Sequence, residues 1–214
     1  MSGLLLLGAG GHARVVAETA LATGSFTHIG FLDDRFSVSS QLPDQLGWPS
    51  LGPFDAALTP TLRQRFSYAL LAFGNADLRL QWLPRLVAAN YNLPVLIHPT
   101  AFVSPSAQVG PGSVVLAQAA VQTNAVIGSC SIINTGCSVD HDAQLGSGVH
   151  ICPGARLAGE VQVGDRSWIG IGASVIQQIR IGADVTVGAG AAVVRDLPDG
   201  VSAVGVPARV LPTA

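Results

Sequence analysis

From Ile97 onward, every sixth residue is aliphatic: Ile97, Val103, Val109, Val115, Val121, Ile127, Ile133, Val139, Leu145 and so on to Val187 and Val193. All 17 positions obey the rule without a slip in register. Four residues after each stands a second recurring position, and 12 of those 17 are Ala, Ser or Cys, among them Ala101, Ala107, Ser113, Ala119, Ser131, Cys137 and Ala155. A fixed period sustained this long is the signature of a solenoid, in which each repeat buries its apolar face only against its neighbours. Six residues fit neither an amphipathic helix nor a plain alternating strand. They fit a short strand and a tight turn, with the aliphatic residue pointing inward and the small one filling the corner. Glycine recurs just after the aliphatic position (Gly110, Gly128, Gly146, Gly164, Gly170, Gly182, Gly188), where a turn of positive φ is expected. The pattern predicts a prism of stacked parallel strands around a narrow aliphatic core.

The first ninety-odd residues follow another rhythm. Leu4 to Leu7 read as a buried strand, Gly8, Gly10 and Gly11 as a turn, and Ala13 to Leu21 as a helix. "THIGFLDD" is a second strand ending in Asp33 and Asp34. "YALLAFGNADLR" gives a third strand, Gly74, and a helix capped by Asn75. Residues 41–66, rich in Pro, Gly and Gln, read as an irregular connection. The sum is β-α-β…β-α, half of a doubly wound α/β fold. The reading divides the chain into a small Rossmann-like domain, 1–94, and a hexapeptide-repeat domain with a C-terminal tail, 95–214. Gly8-x-Gly10-x-x-Ala13 with Asp33 imitates a dinucleotide fingerprint, but a dinucleotide needs two such halves and only one fits before Ile97. One nucleotide diphosphate would fill a helix N-terminus beside glycine amides. A turn that merely joins strand to helix is the plainer alternative.

Charge narrows the function. The formal net charge is −2 and no basic cluster is present, which speaks against nucleic acid or an anionic membrane surface as partner. No apolar run approaches the ~18 residues of a membrane span, and the short "LLLL" lacks the basic flank of a signal peptide. Three cysteines, Cys130, Cys137 and Cys152, without CxxC spacing argue against a disulfide framework and a structural zinc site, and for a reducing cytoplasm. Only 11% of the residues are charged, yet Asp140, His141 and Asp142 stand side by side within the apolar repeat. His141 is the third residue of its hexapeptide, which places it at a corner or outer face. A solvent-facing histidine paired with acids is the bland alternative to a catalytic one.

An unbroken hexapeptide run resembles the left-handed parallel β-helix of the hexapeptide acyltransferases, and the hand is taken from that resemblance. Three hexapeptides per coil then give five to six coils, roughly 25 Å tall at ~4.8 Å per strand. The same resemblance implies a homotrimer with active sites in the clefts between prisms, and "GVPARV" (Gly205 to Val210) matches the G-x-P-A-[KR] ending of such enzymes. Taken together, "GAGGHARVV", "FLDD", "FGNADLR" and "NTGCSVDHDAQLG" resemble the NeuD/PglD-type sugar O- or N-acyltransferases over essentially the whole chain. Members of that family join a Rossmann-like domain for a nucleotide-linked sugar to a β-helix that binds acetyl-CoA. Some acetylate the C4 amine of UDP- or GDP-linked 4-amino-4,6-dideoxy sugars, as in the bacillosamine and N-acetylperosamine pathways; others are sialic acid O-acetyltransferases.

The resemblance implies a role for each candidate residue. His141 is the general base, oriented by Asp142 in the family's histidine-then-acid order, with Asp140 the lesser choice. Gly10, Gly11 and His12 meet a phosphate, Asp33 and Asp34 the base or ribose, and Gly74, Asn75 and Arg79 the same pocket. His150 matches a second histidine near the acceptor. The Gly159 amide donates to the acetyl carbonyl, and the stretches around Ala173 and Ala189 line the pantetheine arm; Arg195 and Arg209 approach the phosphates of CoA. Acetyl-CoA is the cosubstrate, no metal or NAD is required, and the product serves O-antigen, lipopolysaccharide or another surface glycan made in the cytoplasm. Three competing readings exist. A γ-type carbonic anhydrase needs three convergent imidazoles, whereas the repeat domain has only His98, His141 and His150, without an H-x4-H pair. A catalytically silent nucleotide-binding scaffold would keep the fold but not the "DHD" stretch. A small-alcohol acetyltransferase would not need the first domain.

Overall fold

Four consecutive leucines form a strand that must be covered on both faces, and the computed structural model, which describes residues 2–36, 48 and 50–212, places them at the centre of a sheet. Strand β1 (Ser2–Leu7) lies between β2 (Phe26–Leu32) and β3 (Tyr68–Leu71), parallel to both. Leu4 to Leu7 are wholly buried, as a parallel sheet with helices on its faces requires. Helix α1 (Gly11–Ala22) buries Ala13, Val16, Ala17 and Ala20, the one-faced spacing of an amphipathic helix. Gly8 makes the turn between β1 and α1 at φ 116°, with a Cβ there only 2.6 Å from the Ala72 carbonyl oxygen.

Part of the expected connection at 41–66 is regular. Residues 41–47 and 49 lie outside the described residues, but Phe54–Leu58 is a 3₁₀ turn and Pro60–Arg65 is helix α2. Proline at the first helical position starts α2 at no hydrogen-bond cost, and Phe54, Ala57 and Leu62 anchor the segment by burial. Helix α3 (Ala76–Ala88) begins as expected, with the Asn75 side chain accepting from the Leu78 amide at 2.8 Å. The chain divides into two compact units, Met1–Pro99 and Thr100–Ala214.

The second unit is the predicted prism. From Phe102–Val103 to Ala192–Val193 its strands are two residues long and pair in parallel with the strands eighteen residues away: Ile132 with His150, Ser138 with Arg156, Gln144 with Gln162. Three hexapeptides therefore make one coil, and three sheets make the faces. The first sheet carries Val114, Ile132, His150, Trp168 and Thr186; the second Phe102, Ala120, Ser138, Arg156, Ser174 and Ala192; the third Gln108, Val126, Gln144, Gln162 and Arg180. The aliphatic and small positions fill one continuous core from Val115 to Ala203.

The glycines after the aliphatic positions serve a purpose other than the expected one. None of the seven has positive φ; that conformation falls two residues later, at Gly112, Asn124, Gly136, Asp142, Gly148, Glu160 and their equivalents. What excludes a side chain is the next coil. A Cβ on Gly128 would stand 2.5 Å from the Gly146 carbonyl carbon and the Ser147 nitrogen, and one on Gly110 would be 2.6 Å from the Ser129 nitrogen.

Candidate functional site

The turn geometry sets up the histidine. In each hexapeptide the second turn residue donates its amide to the coil before it, as Asp142 does to the Thr123 carbonyl at 2.9 Å. The amide of the first turn residue points outward and takes a side-chain cap where one is available: His141 N–H on Asp140 Oδ1 (2.8 Å), Thr135 N–H on Asn134 Oδ1 (2.8 Å), Ser147 N–H on Asp165 Oδ1 (2.7 Å). Asp140 is thereby occupied by the backbone. Asp142, at φ 58°, turns its carboxylate to the ring instead, and Oδ2 lies 2.8 Å from His141 Nδ1. The family order of histidine then acid thus matches the geometry. Asp142 Oδ1 accepts from the Asn124 side-chain amide at 3.2 Å.

The imidazole lies over the next coil at Gly159, where a Cβ would stand 2.4 Å from His141 Nε2. The hydrogen bond that the ring donates to Asp142, then the charges of Asp140, Asp142 and Glu160, raise the imidazole pKa above its ordinary value; the same bond, with that from Asn124, holds Asp142 below the usual carboxylate range. Both side chains are about half exposed. Glu160, Gln144, Gln162, Gln178 and Arg180 continue from Asp142 into a polar groove of about 490 Å³. Gly159 follows Ala158, which has no side chain able to cap its outward amide.

His150 is buried on the first sheet. Its Nε2 lies 3.0 Å from Asn134 Nδ2, and its ring meets Trp168 edge-on at 4.3 Å. It does not share a face with His141, which stands at the corner joining the second and third sheets, opposite the first. Ala189 is exposed at a turn, whereas Ala173 lies in the core, with its amide on the Gly170 carbonyl and its carbonyl accepting from Arg156. Neither its methyl nor its backbone groups are offered to a ligand; the sequence period, which assigns Ala173 to the inward small position, already contained this. Arg195 is exposed, and Arg209 donates to the adjacent Ala208 carbonyl at 3.0 Å. The three cysteines are buried thiols, and burial pushes Cys137 and Cys152 up to about 12. Among the described residues no three His, Cys, Asp or Glu side chains gather as a metal site, and no helix is long and apolar enough to cross a membrane.

In the first unit, Gly10, Gly11, His12, Asp33, Asp34, Gly74 and Asn75 line one cavity of about 440 Å³, together with Arg35, Phe54, Phe73 and Leu78. The α1 N-terminus has no side-chain cap and no acid in its first turn, so its amides face the cavity unopposed. Asp33 departs from its expected role. Its Oδ2 accepts from the Ala9 amide (2.9 Å) and Arg35 Nη2 (2.7 Å), and its Oδ1 from the Arg35 amide (3.0 Å) and Nε (2.8 Å). Every lone pair in reach is used to hold the glycine turn, which leaves the exposed Asp34 as the acid facing the cavity; Asp34 Oδ1 also accepts from the Phe54 amide at 2.8 Å. Arg79 is fully buried and donates to the Phe73 and Gly74 carbonyls at 3.0 and 2.7 Å, so it shapes the wall instead of meeting a ligand. The Phe54 and Phe73 rings stack at 5.4 Å to form an apolar side. Sequence reading missed Phe54 because its segment looked irregular, and Arg35 because only the acids before it belonged to a motif.

The His12 Nε2 is enclosed and without a hydrogen-bond partner among the described residues. Burial, then the nearby Arg79 charge, lower its pKa from 6.5 to about 4, so the ring is neutral at pH 7. An unfolded chain binds this proton below about pH 6.5 and the folded chain does not until about pH 4. Its contribution to stability is therefore complete above pH 6.5 and falls by about 3 kcal/mol as pH drops towards 4. Denaturant unfolding of the whole chain and of His12→Gln should show their stability difference moving by about 2 kcal/mol, against the wild type, between pH 7 and 4.5. A difference that stays constant with pH would show that His12 titrates normally.

The PglD N-terminal domain model matches residues 3–86. The curated UDP-N-acetylbacillosamine N-acetyltransferase of Bacillus subtilis is 39% identical over 118 residues, 55% of this chain; the chain spans about half, 52%, of that relative's length. The acetyltransferase domain of PglB from Neisseria gonorrhoeae is 44% identical with a TM-score of 0.92, over 99% of this chain and 100% of that one. The same domain is known in complex with acetyl coenzyme A (44% identity, TM-score 0.91, 98% of both chains). PerB from Caulobacter crescentus, solved in complex with CoA and GDP-perosamine, is 43% identical with a TM-score of 0.91, over 99% of this chain and 98% of that one.

Proposed function

Because the chain belongs to the NeuD/PglD-type family of sugar O- or N-acyltransferases, we propose that it transfers the acetyl group of acetyl-CoA to the C4 amine of a nucleotide-linked 4-amino-4,6-dideoxy sugar. The observation that carries this reading is the His141–Asp142 pair poised over Gly159. The sugar ammonium first gives up one proton to solvent; the neutral amine then attacks the thioester carbonyl while His141 Nε2 takes its second proton, and Asp142 holds Nδ1–H and stabilises the imidazolium. The carbonyl oxygen gains charge facing the uncapped Gly159 amide. Collapse breaks the C–S bond, and the proton on His141 passes to the departing CoA thiolate.

Electrostatics favour nitrogen over oxygen as the nucleophile. Asp140, Asp142 and Glu160 surround the imidazole, which attracts an acceptor that arrives as an ammonium and repels the carboxylate of a sialic acid. The open α1 N-terminus is the seat for the nucleotide diphosphate, and its glycine amides and the Phe54–Phe73 wall suit one nucleotide. Gly10, Gly11, His12, Asp34, Gly74 and Asn75 are the proposed nucleotide contacts, with Asp33 supporting them from behind; Gly159 and Ala189 are the proposed CoA contacts. We propose a homotrimer as the assembly; the placement of His141 and His150 on different faces of one prism supports it, since a second copy's first sheet laid against the His141 corner would bring its His150 to the same cleft. Action in the cytoplasm, upstream of a surface polysaccharide, completes the proposal.

Thiol release from acetyl-CoA in the presence of UDP-, dTDP- and GDP-linked 4-amino sugars, with free sialic acid alongside, tests it. Rapid turnover of one nucleotide amino sugar is expected. Turnover of sialic acid alone would move the enzyme to O-acetylation, and silence with CoA still bound would favour a scaffold.

A further inference from the structure

The hydrogen bonds around the catalytic pair do not end at Asp142. Asn124 occupies the same turn position one coil earlier, at φ 58°, and its side-chain amide donates to Asp142 Oδ1 at 3.2 Å. Its own backbone amide is fixed by Ser106 Oγ at 3.1 Å, at the same corner of the coil before. Three successive coils thus contribute Ser106, Asn124 and Asp142, and the line ends on His141 Nδ1 at 2.8 Å. Resting on the function proposed above, we propose that Asn124 is a positioning residue: by holding Oδ1, it turns Oδ2 of Asp142 to the imidazole. An exposed aspartate at a turn would otherwise sample several χ1 wells, most of which leave the histidine without its partner. The one-coil spacing of eighteen residues explains why no motif containing "DHD" reveals it.

The argument also fixes the direction of two effects. The charged groups around the imidazole are Asp140, Asp142 and Glu160, with Arg180 lining the groove beyond Asp142. In Asn124→Gly the left-handed turn is kept, since glycine adopts it without cost, but Asp142 is released. The histidine then loses its partner for part of the time and its pKa falls towards the ordinary value. In Asn124→Asp the turn is also kept, because Asp tolerates this conformation as Asn does. A second carboxylate now faces Asp142, and its added negative charge moves the histidine pKa the other way, above the wild type.

Both variants should keep the wild-type melting temperature and both KM values, and lose kcat by about tenfold, the order expected for one hydrogen bond to a charged group. The readout that a merely structural turn residue would not move is the His141 titration, followed by NMR of the imidazole nitrogens in the whole chain. It should shift down in the glycine variant and up in the aspartate variant. An unmoved titration in both, or wild-type kcat in both, overturns the positioning role. The titration needs no turnover. Failure of the wild type to acetylate any amino sugar would therefore overturn the function and leave this test standing.

Discussion

His141→Asn should lower kcat by roughly 10²- to 10⁴-fold, the range for removing a positioned general base, while both KM values stay within a few-fold. The amide of asparagine keeps a planar polar group at the corner but cannot accept a proton at neutral pH. Nothing in the fold depends on the ring: it is about half exposed and contributes nothing to the core, so the melting temperature should not change. The pH dependence supplies a second check. Because Asp142 and its neighbours raise the histidine above its ordinary pKa, the wild-type rate should fall on the acid side from a point above 6.5, where the base becomes protonated. The residual rate of the asparagine variant should lack that acid limb. Near-normal turnover in the variant would sink the general-base assignment without touching the fold.

The repeat was legible to the residue because six-residue periodicity is a property of the chain itself. Every position from Val115 to Val193 assigned inward is buried, and the pairing of Ile132 with His150 follows directly from three repeats per coil. The same arithmetic, applied across coils, would have found Asn124 and Glu160 as the neighbours of Asp142. What could not be read was the reason for each small residue. The glycines at 110, 128 and 146 look like turn glycines, and only the stacking distance of the next coil reveals them as steric gaps. Asp33 shows a different limit. Its position at the end of a strand is that of a ribose-binding acid, but whether a carboxylate is free depends on what else reaches it, and Arg35, two residues on, takes both oxygens. Arg79 is a third case. Composition gives an arginine on a helix to solvent, and only the two carbonyls that turn inward at Phe73 and Gly74 make its burial tolerable.

Gly159→Ala isolates the geometry of the site from its chemistry, because every catalytic group remains present. The added Cβ would fall 2.4 Å from His141 Nε2 and 2.5 Å from Cε1, closer than carbon can approach either. Something must move, and the two candidates differ in stiffness. Gly159 lies in the coil ladder, its carbonyl accepting from the Gln178 amide at 3.0 Å, whereas among the described residues the imidazole is held only by the 2.8 Å bond to Asp142. The ring yields. At Gly128 the obstacle would be the backbone of the next coil, which has no such freedom; at Gly159 the fold should survive with an unchanged melting temperature. Displacement of the imidazole by about an ångström costs on the order of 10²-fold in kcat/KM, as misplaced catalytic groups do. The double variant separates this account from a direct effect on acetyl-CoA. If the methyl acts only through the ring, adding Gly159→Ala to His141→Asn should cost far less than it does in the wild type, since no imidazole is left to displace. Full additivity of the two losses would instead mean that the methyl blocks the thioester itself, and that the glycine is there for the cosubstrate and not for the histidine.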